Sequence, residues 1–465
     1  MSLTANFAAH LQALAAEPLD AATRQAAVNL FVDGISVAAL GSEQPGPCLL
    51  AALALKGASR PEASLIGHAA SCSVAEAARV NGASMHVLDY EPMWNPANHS
   101  LSPALSPLLA LAEREAKAQG CHKPESVGLR FLAALATGIE AQARLRLASN
   151  QFNPADLVFH PPGAVGPIGS AVASGIFLGL DRNQLVHAIG IAASRAGGIQ
   201  ANAGSMTKAL HCGQAAASGL ESALLAQRGF TADADALGDP RGYGAAFFGG
   251  AFTPETLTAD KAAWHIVDPG PAFKLYPSQY GTHFVITAAR DAYARLPRGA
   301  EIAAVEIICP SMPYVDRPNP ATGLAGKFSF QYVAAVALLD GTVVVDSYAD
   351  ERRFAPDLVA LLPRVAVVPD PTREGRFDRM AVDLVVRCAD GTAIATRCDG
   401  PPGIWGRPCT PEQLSSKASD CLTAAFGTES AEEILGAAFA VERFGHADFL
   451  HLMAGLSGAE RSGTR

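Results

Sequence analysis

Charge is scarce in this chain. Lys, Arg, Asp and Glu make up 17% of the 465 residues, while hydrophobic residues reach 49%. A large core can be buried, and little surface is left for charge. The net charge of −9 supplies no basic footprint, which excludes nucleic acid and an anionic membrane surface as partners. None of the nine cysteines pairs with another at C-x-x-C spacing, and they are scattered from Cys48 to Cys421. That argues against a zinc ribbon, an iron–sulfur site or a disulfide framework, and reads as reduced thiols in a cytoplasmic protein. Residues Met1 to Leu14 lack a basic stretch followed by an apolar run, so no signal peptide is expected. No run of about 18 apolar residues occurs, so no membrane span is expected. Walker and G-x-S-x-G patterns are also missing, and Gly242-Tyr243-Gly244 lacks both the preceding strand and the third glycine of a dinucleotide loop.

What the chain does have is a long series of helical patterns. At this length two domains are the default. Asp20 is placed to cap a helix over Ala21 to Leu40, where Val28, Phe31, Val32 and Ile35 form one stripe. Further helices are predicted over Pro103 to Ala118, Ser126 to Leu147, Gly163 to Leu178, Arg182 to Arg195 and Thr207 to Arg228. Near Trp264 the pattern changes. Ile302 to Cys309 and Val365 to Val368 read as strands, and Met380 to Cys388 with Thr392 to Arg397 flank the hairpin signal Asp390-Gly391. Phe328 to Leu339 reads as a helix between them. Helices return at Pro411 to Ala425 and Ala431 to Phe444, followed by a weak tail whose end, Ser457 to Arg465, reads as frayed. The expected fold is mainly α with an inserted α+β domain. A multi-helix domain is built from 1–265 and 410–465, and a smaller α+β lid spans 266–409.

Five segments carry chemistry-bearing side chains. Met206-Thr207-Lys208-Ala209-Leu210-His211-Cys212-Gly213 puts an ammonium and an imidazole on one helical face in apolar surroundings. A lysine there needs a partner or an anionic ligand, although its head could also snorkel to water. Asn81 to Tyr90 leads into Trp94-Asn95-Pro96-Ala97-Asn98-His99-Ser100, a helix running into a loop that bears Asp89 and His99. Phe159-His160-Pro161-Pro162-Gly163 sets His160 at a helix start, where anions are attracted. Lys274-Leu275-Tyr276-Pro277-Ser278-Gln279-Tyr280-Gly281-Thr282-His283 and Ser311 to Pro320, with Tyr314, read as loops dense in polar donors. For each histidine a structural role, satisfied by backbone, competes with a functional one. Together the segments point to a site for a small, multiply charged anion.

The stretches NGASMHVLDY, NPANHS, FHPPGAVGPIGSA, GSMTKALHCGQAA, KLYPSQYGTH, YVDRPNP and GKFSFQYVAAVALLDG resemble the MmgE/PrpD family, which includes 2-methylcitrate dehydratase, cis-aconitate decarboxylase and iminodisuccinate epimerase. The resemblance implies a helical domain made from both chain ends, an inserted α+β lid, a homodimer, and no metal or organic cofactor. It implies catalytic roles for Asp89, His99, His160, Lys208 and Tyr314. Lys274, His211, Gln279, Tyr280 and His283 are the expected substrate-binding set. Where this chain has Gln279, the decarboxylases carry histidine. An amide cannot transfer a proton as an imidazole does. The segment around Tyr280 also resembles the epimerase branch. The family chemistry makes a carbanion beside a carboxylate, so the implied activity is a cofactor-independent lyase, a dehydratase or decarboxylase of a small di- or tricarboxylate. An epimerase of a similar acid is the alternative, and a non-catalytic member of the fold is disfavoured by the retained Asp89, His99, His160 and Lys208.

Overall fold

The computed structural model describes residues 2–57, 60–119 and 127–458. Ten helices precede the long connection to the sheet: α1 (Leu3–Ala16), α2 (Ala21–Gly41), α3 (Pro45–Lys56), α4 (Val74–Val87), α5 (Leu101–Gln119), α6 (Val127–Ala148), α7 (Pro161–Leu178), α8 (Arg182–Ala193), α9 (Thr207–Gln227) and the short α10 (Tyr243–Phe248). A two-stranded antiparallel ribbon, β1 (Ala63–Leu65) and β2 (Ala70–Cys72), joins α3 to α4. Next come α11 (Tyr280–Arg295), β3 (Ile302–Cys309), α12 (Gly323–Gly326), α13 (Phe330–Asp340), α14 (Asp350–Arg353), α15 (Pro356–Leu361), β4 (Val365–Pro369), β5 (Val382–Cys388) and β6 (Ala393–Cys398). The chain closes with α16 (Pro411–Phe426), α17 (Thr428–Phe439) and α18 (His446–Ser457). The fold is mainly α with a small α+β part.

Local chemistry sets several boundaries. Asp20 accepts from the Thr23 amide at 2.8 Å and starts α2. Asp181 and Gln184 close a capping box on α8, as Thr410 and Gln413 do on α16, where Pro411 follows the cap. Gly179, in the left-handed region at φ 69°, ends α7. The body then packs through small residues. α9 lies against both α4 and α7. Gly213 faces the α4 backbone so closely that a Cβ there would sit 2.1 Å from the Arg79 carbonyl oxygen. Gly213→Ala must therefore push α9 off α4. The expected cost is about 1–3 kcal/mol of stability, read as a lower urea midpoint; an unchanged midpoint would contradict this packing.

The α+β part is one four-stranded sheet in the order β4-β3-β5-β6. β3 and β4 run parallel, with Val305 opposite Val365, and the other pairs are antiparallel. The hairpin turns at Asp390-Gly391, with Gly391 at φ 89°. Inward residues Val305, Ile307, Leu384 and Val386 join α11 and α13 in a second core.

The last three helices return to the body. α16 packs on α2, and Lys417 forms a buried ion pair with Asp33 at 2.7 Å while also donating to the Tyr90 carbonyl at 2.8 Å.

Several expectations need correction. The segment read as a loop through His283 becomes helix from Tyr280, because Gln279 caps it by accepting from the Thr282 amide at 3.3 Å. The helix expected from Pro103 begins at Leu101 and runs through Pro107. The strand expected from Met380 begins at Val382. The helix expected over Ala431 to Phe444 runs Thr428–Phe439, with a separate single turn at Val441–Arg443, and the weak tail is the firm helix α18. Ser126 and the residues after Gly458 lie outside the described residues.

Candidate active site

α4 ends at Val87 with Leu88 as its cap, and Asp89 follows in the left-handed region at φ 53°. This is the position a helix usually gives to glycine. A β-carbon there is strained, and such strain concentrates at functional sites. It turns the Asp89 carboxylate inward between two ammonium groups. Lys208, in the first turn of α9, donates to Oδ2 at 2.5 Å. Lys274 donates to Oδ1, to the Asp89 carbonyl at 2.8 Å and to the Ser278 carbonyl at 3.1 Å. Burial pushes the Asp89 pKa up, but Lys208 and Lys274 outweigh it, and the carboxyl titrates well below the usual range. Burial pulls Lys274 down to about 8.

Four imidazoles surround this triad. His99 Nε2 lies 3.7 Å from Asp89 Oδ1. His86, on the last turn of α4, points Nδ1 at Glu91 Oε1, 2.6 Å away. Glu91 also accepts from the Ser102 amide and hydroxyl at 2.9 and 2.7 Å. His160, at the N-cap of α7, meets His211 through their Nδ1 atoms at 3.3 Å. Burial, reinforced by the lysine charges, holds His86, His99 and His160 well below the ordinary histidine pKa. These rings are neutral at pH 7. Burial also lifts Glu91 to about 7.

A cavity between the helical body and the α+β part is lined by Asp89, Asn98, His99, His160, Gln200 and Lys208 on one side. Gln279, Tyr280, Tyr314, Phe328 and Phe377 line it on the other. The Gln279 amide approaches the Tyr314 hydroxyl at 3.5 Å. Burial raises the Tyr314 pKa, so its proton stays on. Lys208 Nζ stands 5.2 Å from the centre of the Phe328 ring.

The expected residues take four placements. Asp89, His99, His160, Lys208, Gln279, Tyr280 and Tyr314 meet at the cavity. Lys274 is wholly buried behind Asp89 and acts through it. His211 stands beside His160 rather than on the cavity wall. His283 is away from it altogether, stacked on Tyr280 at 5.0 Å and 3.4 Å from the Ser278 carbonyl. Sequence reasoning missed His86, Glu91 and Lys327. Lys327 is buried, donates to the Leu88 carbonyl at 3.0 Å, and is pulled by burial to about 7. All three sit inside or next to the recognised stretches, and their burial is the property no short motif displays.

Two groups bring metal-ligating atoms within 4.8 Å of one another, His86–His160–Cys212 and His86–Glu91–His99. Lys208, Lys274 and Lys327 put positive charge against a cation there, and Glu91 already accepts three hydrogen bonds. The donor set suits an anion better than a metal ion.

An acidic chain has thus built a cationic, imidazole-rich cavity between a helical body and an α+β part. The MmgE/PrpD N-terminal domain matches residues 5–255 and the MmgE/PrpD C-terminal domain matches residues 276–441. The chain belongs to the MmgE/PrpD family. It is 35% identical to a cis-aconitate decarboxylase of Mus musculus over 73% of this chain and 70% of that protein. The Homo sapiens cis-aconitate decarboxylase is 34% identical over 73% of this chain and 71% of its own length. A cis-aconitate decarboxylase of Aspergillus terreus is 24% identical over 84% and 83%. Among the described residues no single helix is long and apolar enough to cross a membrane.

Proposed function

We propose that this chain is a lyase that decarboxylates a small, aconitate-like acid. The observation that carries the reading is the Lys208 ammonium on the wall of a cavity faced by two neutral imidazoles, His99 and His160. The names of its relatives support it. One N–H of Lys208 goes to Asp89, and its others are left for a substrate carboxylate. Asp89 and Lys274 hold that ammonium in place. When the bond to the departing carboxylate breaks, CO₂ leaves and the electron pair stays on the substrate carbon. A neighbouring carboxylate takes up the charge as an enediolate, which Lys208 and the Tyr314 hydroxyl stabilise. One of the imidazoles, charged by a proton taken up from solvent in that turnover, then delivers a proton to that carbon. The homodimer implied by the family resemblance belongs to this reading.

The test is NMR in D₂O with a panel of aconitate-like, citrate-like and amino-dicarboxylate acids. CO₂ release from cis-aconitate with one deuterium per product is the expected result. Loss of water instead would make the chain a dehydratase. Epimerisation is the second reading, favoured by the placement of His99 and His160 on separate elements with ring centroids 6.3 Å apart. It would appear as deuterium uptake without net conversion. Within the first reading, Lys208→Ala should stay folded and lose at least about tenfold in kcat/KM, the loss of one charge-assisted contact. Turnover within a few-fold of wild type would remove Lys208 from this role.

A further inference from the structure

Decarboxylation consumes a proton. Each CO₂ released leaves a carbanion, and the acid that protonates it must be reloaded from water before the next turnover. That is difficult here, since His86, His99 and His160 are all buried. His99 and His160 both line the cavity, so a substrate filling it would stand between them and water.

His211 is the exception. It is half-buried, one turn along α9 from Lys208, and its Nδ1 lies 3.3 Å from Nδ1 of His160. The backbone is shaped around this contact. The His160 amide donates to the Gly198 carbonyl at 2.8 Å. Gly198 itself is at φ 93°, and a Cβ there would stand 3.0 Å from Cγ of His211. Only glycine combines that conformation with that approach. One short loop therefore holds both rings.

We propose that His211 is the proton entrance of the site, a relay that reloads His160 from solvent during turnover. The inference rests on the proton-transfer reading above. The Nδ1–Nδ1 contact serves one hand-over and leaves each Nε2 for another. His160 gives one proton towards the substrate carbon and takes one from His211 across the shared contact. His211 takes its replacement from water. The net uptake is the one proton the product gains; each ring is left as the opposite tautomer and returns to its first by exchanging protons with water once product has left the cavity. The charges facing the pair set its direction. Lys208 on the α9 helix and His99 and Asp89 from the loop after α4 all act on His160, whose ring centre also lies 5.4 Å from that of His86 on α4, while Lys208 acts on His211. Three of these neighbours are cationic or can become so, which favours passing a proton onward over storing it. His211 then has no part in holding substrate, contrary to the expectation from sequence.

The test is His211→Ala at saturating substrate in weakly buffered solution. KM should stay within about threefold of wild type and kcat should fall about tenfold or more. Added imidazole should restore much of that kcat while leaving wild type unchanged, and the solvent-deuterium effect on kcat should grow. His211→Asn, which keeps a polar group of similar reach, serves if the alanine variant does not fold, with the same loss and the same larger isotope effect expected. An unchanged kcat overturns the relay. A kcat loss that neither imidazole nor isotope touches also overturns it, because that is the mark of a structural role. A KM rise at constant kcat would make His211 a substrate contact and likewise overturn it. Wild type that neither converts nor exchanges any acid would overturn the functional reading first, and the relay with it.

Discussion

His99→Gln should bind substrate almost as wild type does and turn it over about 10²–10⁴-fold more slowly. The glutamine keeps the size and a hydrogen bond but cannot carry a proton. The geometry makes His99 sensitive to this change. Its Nε2 faces Asp89 at 3.7 Å, and its Nδ1 lies 4.0 Å from Glu91. Burial first, then Lys274 and Lys208, keep the ring neutral at rest, and Asp89 pulls the other way. Such a ring gains its charge only in step with the reaction beside it. Deuterium exchange into substrate should fall in parallel with turnover. Lost binding with near-normal turnover at saturation would instead make His99 a carboxylate anchor, and the proton would belong to His160.

Lys274→Met should cost about 3–5 kcal/mol of stability, the range seen when one partner of a buried pair is removed. Methionine fills the space, so the loss is electrostatic. Lys274 is fully buried and binds the Asp89 carboxylate and carbonyl together, which leaves Asp89 with Lys208 alone. The pH dependence has a fixed sign. Asp89 has a depressed pKa in the folded protein, so its contribution is present above the ordinary aspartate value and is lost as pH falls through the folded one. The difference between variant and wild type in urea denaturation should therefore shrink in acid. A difference below about 1 kcal/mol at pH 7, no more than an exposed pair gives, would show that the Asp89 charge is satisfied without Lys274.

The parts of this molecule legible in its sequence are those fixed by neighbours in the chain. Asp20, Asp181 and Asp390-Gly391 act through backbone groups two or three residues away, and the elements they bound lie within a few residues of the expected ones. α1 and α3 escaped notice because short alanine- and leucine-rich stretches have little polar contrast between faces. The candidate site divides along the same line. Lys208, His160 and Asp89 stand out because each is a charge or an imidazole amid small apolar residues. Lys327 meets its partner Leu88 across 239 residues, and nothing near it in the chain announces the encounter. His283 looked like a loop donor, but Gln279 starts a helix there and turns that side chain inward.

Lys417 reaches the Tyr90 carbonyl across 327 residues of chain. It stands next to the bend that aims Asp89, so the last long helices complete what the fourth began. A polypeptide leaves the ribosome N-terminus first. Until Lys417 has emerged, the Tyr90 carbonyl and the buried Asp33 carboxylate wait without their cation. The bend that carries Asp89 therefore acquires its full set of partners only after α16 has been made.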